Sequence, residues 1–206
     1  MLSTPTTARP LALQVLGISG SPTHASRSTA LLRSALRLLA PASAALGEIE
    51  VRDLPPAALL HAEVQHPQIA TALAKVSAAD VVLVATPIYK AAYSGLLKTF
   101  LDLLPQDALR GKTVLPLATG GSPAHLLALD YALKPVLTAL GARHVLDSVY
   151  ATDAQFDTDE AQGRRPNAEV LARLACALGP LLGDEPPRGA VPTLVRQMNG
   201  SSRMPC

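Results

Sequence analysis

Six hydroxyl side chains and one arginine cluster at residues 19–29, near the start of the chain. The hydroxyls are those of Ser19, Ser21, Thr23, Ser26, Ser28 and Thr29, and the cation is Arg27. An apolar run precedes them at residues 11–18 and leucines at helical spacing follow them, which predicts a strand, a turn and a helix. A helix N-terminus favours an anion, because its N–H groups are unpaired. The cluster therefore predicts a phosphate site.

The turn in this cluster lacks both common glycine motifs for nucleotides. A P-loop needs a lysine after its last glycine and a dinucleotide loop needs three spaced glycines, whereas this turn has only Gly17 and Gly20 before Pro22. Hydroxyls with one arginine suit a terminal monophosphate, whose oxygens carry up to two negative charges. FMN carries such a group. The alternative, which this loop alone leaves open, is that serine and threonine only cap the helix.

Two later loops also have an unusual composition, one with proline and tyrosine and the other with adjacent glycines. They follow apolar runs at residues 81–86 and 113–118, which have the length of strands buried on both faces. The loop residues are Pro87, Ile88 and Tyr89 after the first run, and Thr119, Gly120 and Gly121 after the second. Adjacent glycines allow a close approach to the backbone.

Strands that alternate with helices predict an α/β fold, in which a parallel sheet has helices on both faces. The predicted strands are residues 11–18, 48–51, 81–86, 113–118 and 144–149, and the helices after the first lie near residues 68–79, 96–104, 124–140 and 167–182. We expect the strand order 2-1-3-4-5, with ligands beyond the carboxyl ends of the first, third and fourth strands, where the three loops meet. The expected divisions are a disordered leader at residues 1–10, one domain at residues 11–182 and a tail at residues 183–206.

Composition and charge argue against several classes of function. The chain has 206 residues and is 49% hydrophobic, which suffices for one domain with a sizeable core. A net charge of +2 and scattered basic residues argue against a nucleic-acid partner. We expect no membrane span, no metal site among the histidines, and a reducing, cytoplasmic setting, since Cys176 and Cys206 make no disulfide framework.

The central part of the chain resembles a known family. The segments ATPIYKAAYSG, LLKTFLDLLP and GKTVLPLATGGSPAHLLALDYALKPVLTAL are similar to those of the NAD(P)H-dependent FMN reductases of alkanesulfonate assimilation, which have the flavodoxin-like three-layer fold. GSP at residues 20–22 and SRS at residues 26–28 match the family's phosphate loop. The resemblance covers about residues 12–180.

The resemblance implies a flavin reductase that transfers a hydride from NADPH or NADH to FMN. It implies that FMN is a substrate, that reduced FMN passes to a partner flavin-dependent monooxygenase, and that the protein is a homo-oligomer, a dimer or a tetramer. By position, the loop at residues 21–28 would hold the phosphate, residues 87–89 the ribityl chain and ring, and residues 119–121 the pyrimidine edge. The expected FMN-binding residues are Ser19, Ser21, Ser26, Arg27, Ser28, Thr86, Pro87, Ile88, Tyr89, Thr119, Gly120 and Gly121. No catalytic acid or nucleophile is expected, because the cofactors carry the chemistry.

Pro135 interrupts the helix predicted at residues 124–140. Its ring crowds the carbonyl of Tyr131, and an interior proline costs about 3 kcal/mol in a regular helix. A π-bulge around Tyr131 would relieve this strain. In similar reductases a tyrosine at the matching position marks a π-helix at a subunit interface near the flavin, which implies the same role for Tyr131. The alternative is a monomer in which the proline only kinks the helix.

Other functions on the same fold remain open from sequence. One is a quinone, azo-dye or metal-ion reductase with permanently bound FMN. Another is a flavodoxin-like electron carrier, although such carriers are usually acidic and this chain is slightly basic. A third is a scaffold that binds no flavin.

Overall fold

The computed structural model describes residues 13–159 and 163–183. Its strands are β1 Leu13–Ser19, β2 Ser43–Glu50, β3 Val81–Tyr89, β4 Ala92–Tyr93, β5 Thr113–Gly120, β6 His144–Val145, β7 Val149–Thr152, β8 Phe156–Asp159 and β9 Gly163–Pro166. Its α-helices are α1 Arg27–Leu39, α2 Pro56–Leu60, α3 Pro67–Ala78, α4 Gly95–Leu101, α5 Lys134–Ala139 and α6 Ala168–Leu182. The expected leader, and the expected tail beyond residue 183 with Cys206, lie outside the described residues.

The main sheet confirms the predicted strand order and the flavodoxin-like fold. β1 pairs in parallel with β2 and β3, β3 pairs in parallel with β5, and β6 and β7 both pair in parallel with β5. β6 and β7 together occupy the fifth place. In the register Ser19 lies opposite Ala85, and Pro87 lies opposite Thr119. The loops after β1, β3 and β5 therefore meet at one edge of the sheet, as predicted.

Helices cover both faces of the sheet, because its central strand is apolar at nearly every position. Val81, Leu83 and Ala85 of β3 pack with the leucines of α1 and α6. Val82 and Val84 point the other way and pack with apolar residues of α3, α4 and α5. All five side chains are buried. Since burial of a valine or leucine side chain contributes about 1.5–3 kcal/mol, this strand anchors the three layers.

Three element boundaries differ from the prediction, whereas α1, α3 and α6 lie close to their expected positions. β2 begins at Ser43 rather than Glu48, because residues 43–47 pair with β1 although their side chains are largely exposed. The predicted fifth strand is interrupted at residues 146–148. Residues 53–67, which lie between the predicted second strand and the helix near residues 68–79, contain α2, which begins with a proline. Backbone pairing and proline geometry, rather than hydropathy, set these boundaries.

The helix predicted at residues 124–140 changes type along its length. It starts as a 3₁₀ turn at Pro123–Leu126, continues as a π-helix at Leu129–Leu133 and ends as α5. The widening predicted around Tyr131 is therefore confirmed. Pro135 falls in the first turn of α5, where a missing N–H breaks no helical hydrogen bond.

A hairpin of β8 and β9 was not predicted. Its strands pair antiparallel, from Phe156 opposite Pro166 to Asp159 opposite Gly163, and β9 packs against α1. The two strands read FDTD and GRRP, so no apolar alternation marks them in the sequence. Within the described ranges, no helix has the length and hydropathy needed to cross a bilayer.

Candidate functional site

A cleft of about 160 Å³ opens at the carboxyl ends of β1, β3 and β5. Nine of the twelve predicted FMN-binding residues line it, and the hairpin and the turn after β7 contribute further residues. The predicted residues in the cleft are Ser21, Ser26, Arg27, Pro87, Ile88, Tyr89, Thr119, Gly120 and Gly121, and the additional ones are Thr23, Ala25, Asp153 and Arg164. The parallel topology thus brings the three predicted loops into one site.

Three of the predicted FMN-binding residues, Ser19, Ser28 and Thr86, do not line the cleft. All three are fully buried. The Ser19 hydroxyl lies 2.7 Å from that of Thr29, and the Ser28 hydroxyl lies 2.9 Å from that of Ser26. The Thr86 hydroxyl accepts a hydrogen bond of 2.9 Å from the backbone N–H of Ser94. Each of these hydroxyls is hydrogen-bonded inside the protein, so they stabilise the loops that form the cleft.

The loop after β1 is fixed by capping and by close packing. Ser26 caps α1, since its Oγ accepts from the backbone N–H of Thr29 at 3.2 Å. Ser94 caps α4 in the same way and donates its hydroxyl to the carbonyl of Gly20. A Cβ at Gly20 would lie 2.5 Å from the Cβ of Leu97, so only glycine fits there. Ser26 thus caps the helix and also lines the cleft.

Two guanidinium groups and one carboxylate set the charge of the end of the cleft near α1. Arg27 Nη1 lies 3.4 Å from Asp153 Oδ2, and these side chains are 33% and 47% exposed. The backbone of Arg164 lies opposite Thr158 in the hairpin, and its side chain makes no ion pair or hydrogen bond among residues 13–159 and 163–183. Nearby, Arg52 donates to the carbonyl of Thr23 and so holds the loop in place. With the positive end of α1, this end of the cleft suits an anion.

The other end of the cleft is formed mainly by the backbone of the glycines after β5. A Cβ at Gly120 would lie 2.6 Å from the hydroxyl oxygen of Tyr150, whereas a Cβ at Gly121 would meet no atom within 4 Å. The Tyr150 hydroxyl donates to the carbonyl of Ser122 at 2.7 Å. Burial, and secondarily the charge of Asp153, raise the pKa of Tyr150, so its hydroxyl keeps its proton. The turn after β5 is therefore packed on one side and open toward the cleft on the other.

A strained turn carries the edge of the cleft at Tyr89. Lys90 and Ala91 join β3 to β4 with φ of +50° and +63°, a region that residues other than glycine seldom adopt. Such two-residue hairpin turns normally contain asparagine and glycine. Tyr89, the last residue of β3, is 48% exposed at the cleft. An aromatic face is thus held at the rim by a turn that costs conformational energy.

The 3₁₀ turn at Pro123–Leu126 and the π-helix after it present an apolar surface to solvent. Tyr131 is 79% exposed, and Leu126 and Leu127 are 46% and 56% exposed. The opposite side of the same segment is buried through Leu129 and Leu133. We call Leu126, Leu127 and Tyr131 the π-helix patch. Its large apolar side chains are left exposed by the described residues of the chain.

Asp153 and Arg164 are the charged cleft residues that sequence reasoning missed. Asp153 follows the fifth position of the sheet directly, so the rule that ligands bind at strand carboxyl ends would have indicated it. No feature of the sequence indicated that Arg164 would reach the cleft, because it lies in the hairpin that was not predicted. No cluster of three or more potential metal-binding side chains occurs in the described part of the chain.

A larger groove of about 610 Å³ adjoins the cleft at Ser26 and Arg164, between α1 and β9. Arg33 in this groove pairs with Glu48 and Glu50, and its hydrogen bond with Glu48 raises the pKa of Arg33. The groove contains none of the residues after β3 or β5. We therefore locate the functional site in the smaller cleft, where three loops converge.

Known proteins share both the sequence and the fold. Residues 13–157 match the profile of the family described as NADPH-dependent FMN reductase. The chain is 50% identical over 143 residues to FMN reductase (NADPH) of Escherichia coli, covering 69% of this chain and 75% of that protein. It is 47% identical over 158 residues to FMN reductase (NADPH) of Pseudomonas putida, covering 77% and 79%. The crystal structure of apo NADH:FMN oxidoreductase (EMOB) superposes with a TM-score of 0.74 at 41% identity, covering 85% and 91%.

Proposed function

The chain belongs to the NADPH-dependent FMN reductase family, and on that premise we propose that it supplies reduced FMN to a partner flavin-dependent monooxygenase. It is an oxidoreductase that uses FMN and NAD(P)H. We further propose that the partner acts in alkanesulfonate assimilation, as the sequence resemblance implies. The reductase would comprise residues 11–182 and would work in the cytoplasm, where NAD(P)H is available.

We propose that the end of the cleft near α1 holds the phosphate of FMN. Ser21 and Thr23 offer hydroxyl donors, and Ser26 begins a helix whose positive end faces the cleft. Arg27 and Arg164 add two full positive charges. This donor set fits a phosphate carrying about −1.5 to −2 charges. The fit supports FMN over riboflavin, which lacks the phosphate.

The other end of the cleft would receive the flavin ring. FMN, when bound, supplies the isoalloxazine ring that accepts the hydride from the nicotinamide. Pro87 and Ile88 offer apolar surface, and Gly121 lines the cleft at a point where an added Cβ would meet no atom within 4 Å, so its backbone N–H would be available to the ring. Backbone N–H groups stabilise negative charge that develops at a ring edge. No carboxylate or histidine pair is needed, since this protein's task is to orient two cofactors.

The small volume of the cleft is the observation that carries the proposal of an exchangeable flavin. Its 160 Å³ is below the roughly 300–1,000 Å³ of sites that enclose a ligand of this size. One chain would therefore cover FMN only in part. A partly covered flavin can leave after reduction, as a substrate must.

We propose that a second copy of the chain covers the π-helix patch. Leu126, Leu127 and Tyr131 follow the glycine loop closely in sequence, so a copy bound there would also approach the open side of the cleft. A symmetric dimer buries the same patch on both subunits. The homo-oligomer would thus complete a flavin site that one chain leaves open.

Steady-state kinetics test the proposed function. Oxidation of NADPH and NADH is followed with and without added FMN, riboflavin and a quinone. We expect FMN to stimulate oxidation saturably in a sequential pattern, and the reduced FMN to support turnover of an added alkanesulfonate monooxygenase. Ping-pong reduction of the quinone by protein that retains its FMN would instead favour the quinone reductase. Failure to oxidise either nucleotide in the presence of FMN would favour an electron carrier.

A further inference from the structure

One carboxylate lies where the proposed function places a phosphate. Asp153 lines the cleft together with Ser21 and Ser26, and its Oδ2 lies 3.4 Å from Arg27 Nη1. Like charges repel, so a carboxylate beside this guanidinium opposes the binding of a phosphate to the same group. Phosphate recognition alone therefore does not explain why a carboxylate lies at residue 153.

Asp153 is held in place by its neighbours. It begins a 3₁₀ turn whose capping box joins Thr152 to Gln155, with the Thr152 N–H donating to the Gln155 amide oxygen at 3.0 Å. The Gln155 amide N–H donates in turn to Glu169 at 3.1 Å, and Arg173 donates to Gln155 at 3.3 Å. The turn is thus tied to α6. The backbone that carries Asp153 is therefore held at the cleft, and its carboxylate pairs there with Arg27.

The charged residues that line the cleft have a lower net positive charge than its two arginines alone would give. Arg27 and Arg164 contribute two positive charges, and Asp153 cancels one of them. Burial is the main cause of the raised pKa of Tyr150, and the charge of Asp153 is the second cause. The negative charge of Asp153 therefore also acts on Tyr150, which packs against Gly120. Replacing this one carboxylate by an amide would double the net positive charge of the residues that line the cleft.

We propose that Asp153 limits the affinity of the cleft for FMN, so that reduced FMN can leave for its acceptor. It does so by occupying Arg27 in the flavin-free protein and by repelling the phosphate of the bound flavin. This inference rests on the proposed function, because it concerns release of the same flavin. The opposite role is that Asp153 orients Arg27 toward the phosphate, and it predicts the opposite sign of effect on affinity.

The substitution Asp153→Asn decides between these roles. It keeps the size of the side chain while removing its charge, and the dissociation constants of FMN and riboflavin are measured by quenching of flavin fluorescence. Asp147→Asn is the matched control, because Asp147 is an exposed carboxylate before β7 and outside the cleft, whereas Asp153 follows β7. We expect Asp153→Asn to bind FMN about tenfold more tightly and to release it more slowly. Riboflavin binding, and both affinities of the control, should stay at the wild-type values.

Ionic strength gives a second readout. The gain in FMN affinity should shrink as salt rises, because the repulsion between exposed charges is screened. Unchanged or weaker FMN binding by Asp153→Asn would overturn the inference, and so would an equal gain for FMN and riboflavin. Either of these results is compatible with the proposed reductase activity if the wild-type protein oxidises NAD(P)H in the presence of FMN. Absence of that oxidation would instead reject the proposed function itself.

Discussion

The two ends of the cleft are built in different ways. The end near α1 consists of hydroxyls, a helix N-terminus and two guanidinium groups, tied together by hydrogen bonds such as the one from Ser94 to Gly20. The end beyond β3 and β5 consists of backbone shape, with the open Gly121 and a strained turn at Lys90 and Ala91. The first end is specified by side-chain chemistry within one chain. The second depends on conformation and, as we propose, on a second subunit.

The largest expected effect is on the free energy of unfolding, and it compares how tightly a glycine is packed at each end of the cleft. Gly20→Ala should lower the free energy of unfolding by about 3 kcal/mol, because the new Cβ meets the Cβ of Leu97, which cannot rotate away. Gly120→Ala should cost about 1 kcal/mol, because its Cβ meets only the tip of Tyr150. Gly121→Ala serves as the control, since its Cβ would meet nothing. Urea unfolding measures all three, and equal losses for Gly20→Ala and Gly120→Ala would contradict the contrast.

The second prediction concerns the charge of the end near α1. The combined substitution Ser26→Ala and Arg27→Ala should weaken FMN binding about 100-fold, because two charge-assisted contacts to the phosphate are lost. Riboflavin binding should change by less than about threefold. Calorimetric titration with both flavins provides the measurement. Equal losses for the two flavins would mean that this loop does not hold the phosphate.

The third prediction concerns the end that we propose is shared with a second copy. Tyr131→Ala should weaken subunit association about tenfold and reduce flavin retention, because an exposed aromatic residue of the π-helix patch is removed. Leu171→Ala is the matched control, since Leu171 is an exposed apolar residue on α6. Analytical ultracentrifugation across a concentration series would report association. Unchanged association and flavin retention would argue against a subunit interface at the π-helix patch.

The smallest expected effect is the release of strain at the rim. Ala91→Gly should raise the free energy of unfolding by about 0.5 kcal/mol, because glycine adopts a φ of +63° without the steric penalty of a Cβ. Ala92→Gly is the control and should lower it, since Ala92 lies in regular β4. Thermal unfolding of the two variants checks the difference in sign. A loss of stability in both would show that the turn stores no strain.

Much of the fold was predictable because apolar runs and parallel topology follow simple rules. The strand order, the meeting of three loops and the widened helix before Pro135 could all be predicted from residue types. The direction of individual hydroxyls could not, because a serine in a loop fits a buried hydrogen bond as well as a ligand. Ser19 and Thr86 are examples, since both are buried behind the cleft.

Charged residues of the site were harder to predict than the glycine and hydroxyl loops. Arg164 reaches the cleft from a polar hairpin that has no hydropathy signal, and Asp153 is held by a capping box beyond the last strand of the sheet. Their importance arises from tertiary placement next to Arg27. Identification of Arg164 required the structure, whereas the place of Asp153 directly after the fifth position of the sheet could have indicated it.

The most direct test of the central claim is the ratio of the affinities of the wild-type protein for FMN and riboflavin. The two ligands differ only by the phosphate that we assign to the end of the cleft near α1. Titration of both under identical low-salt conditions should show FMN binding at least about tenfold more tightly, with the ratio falling as salt rises. Equal affinities at low salt would contradict the account.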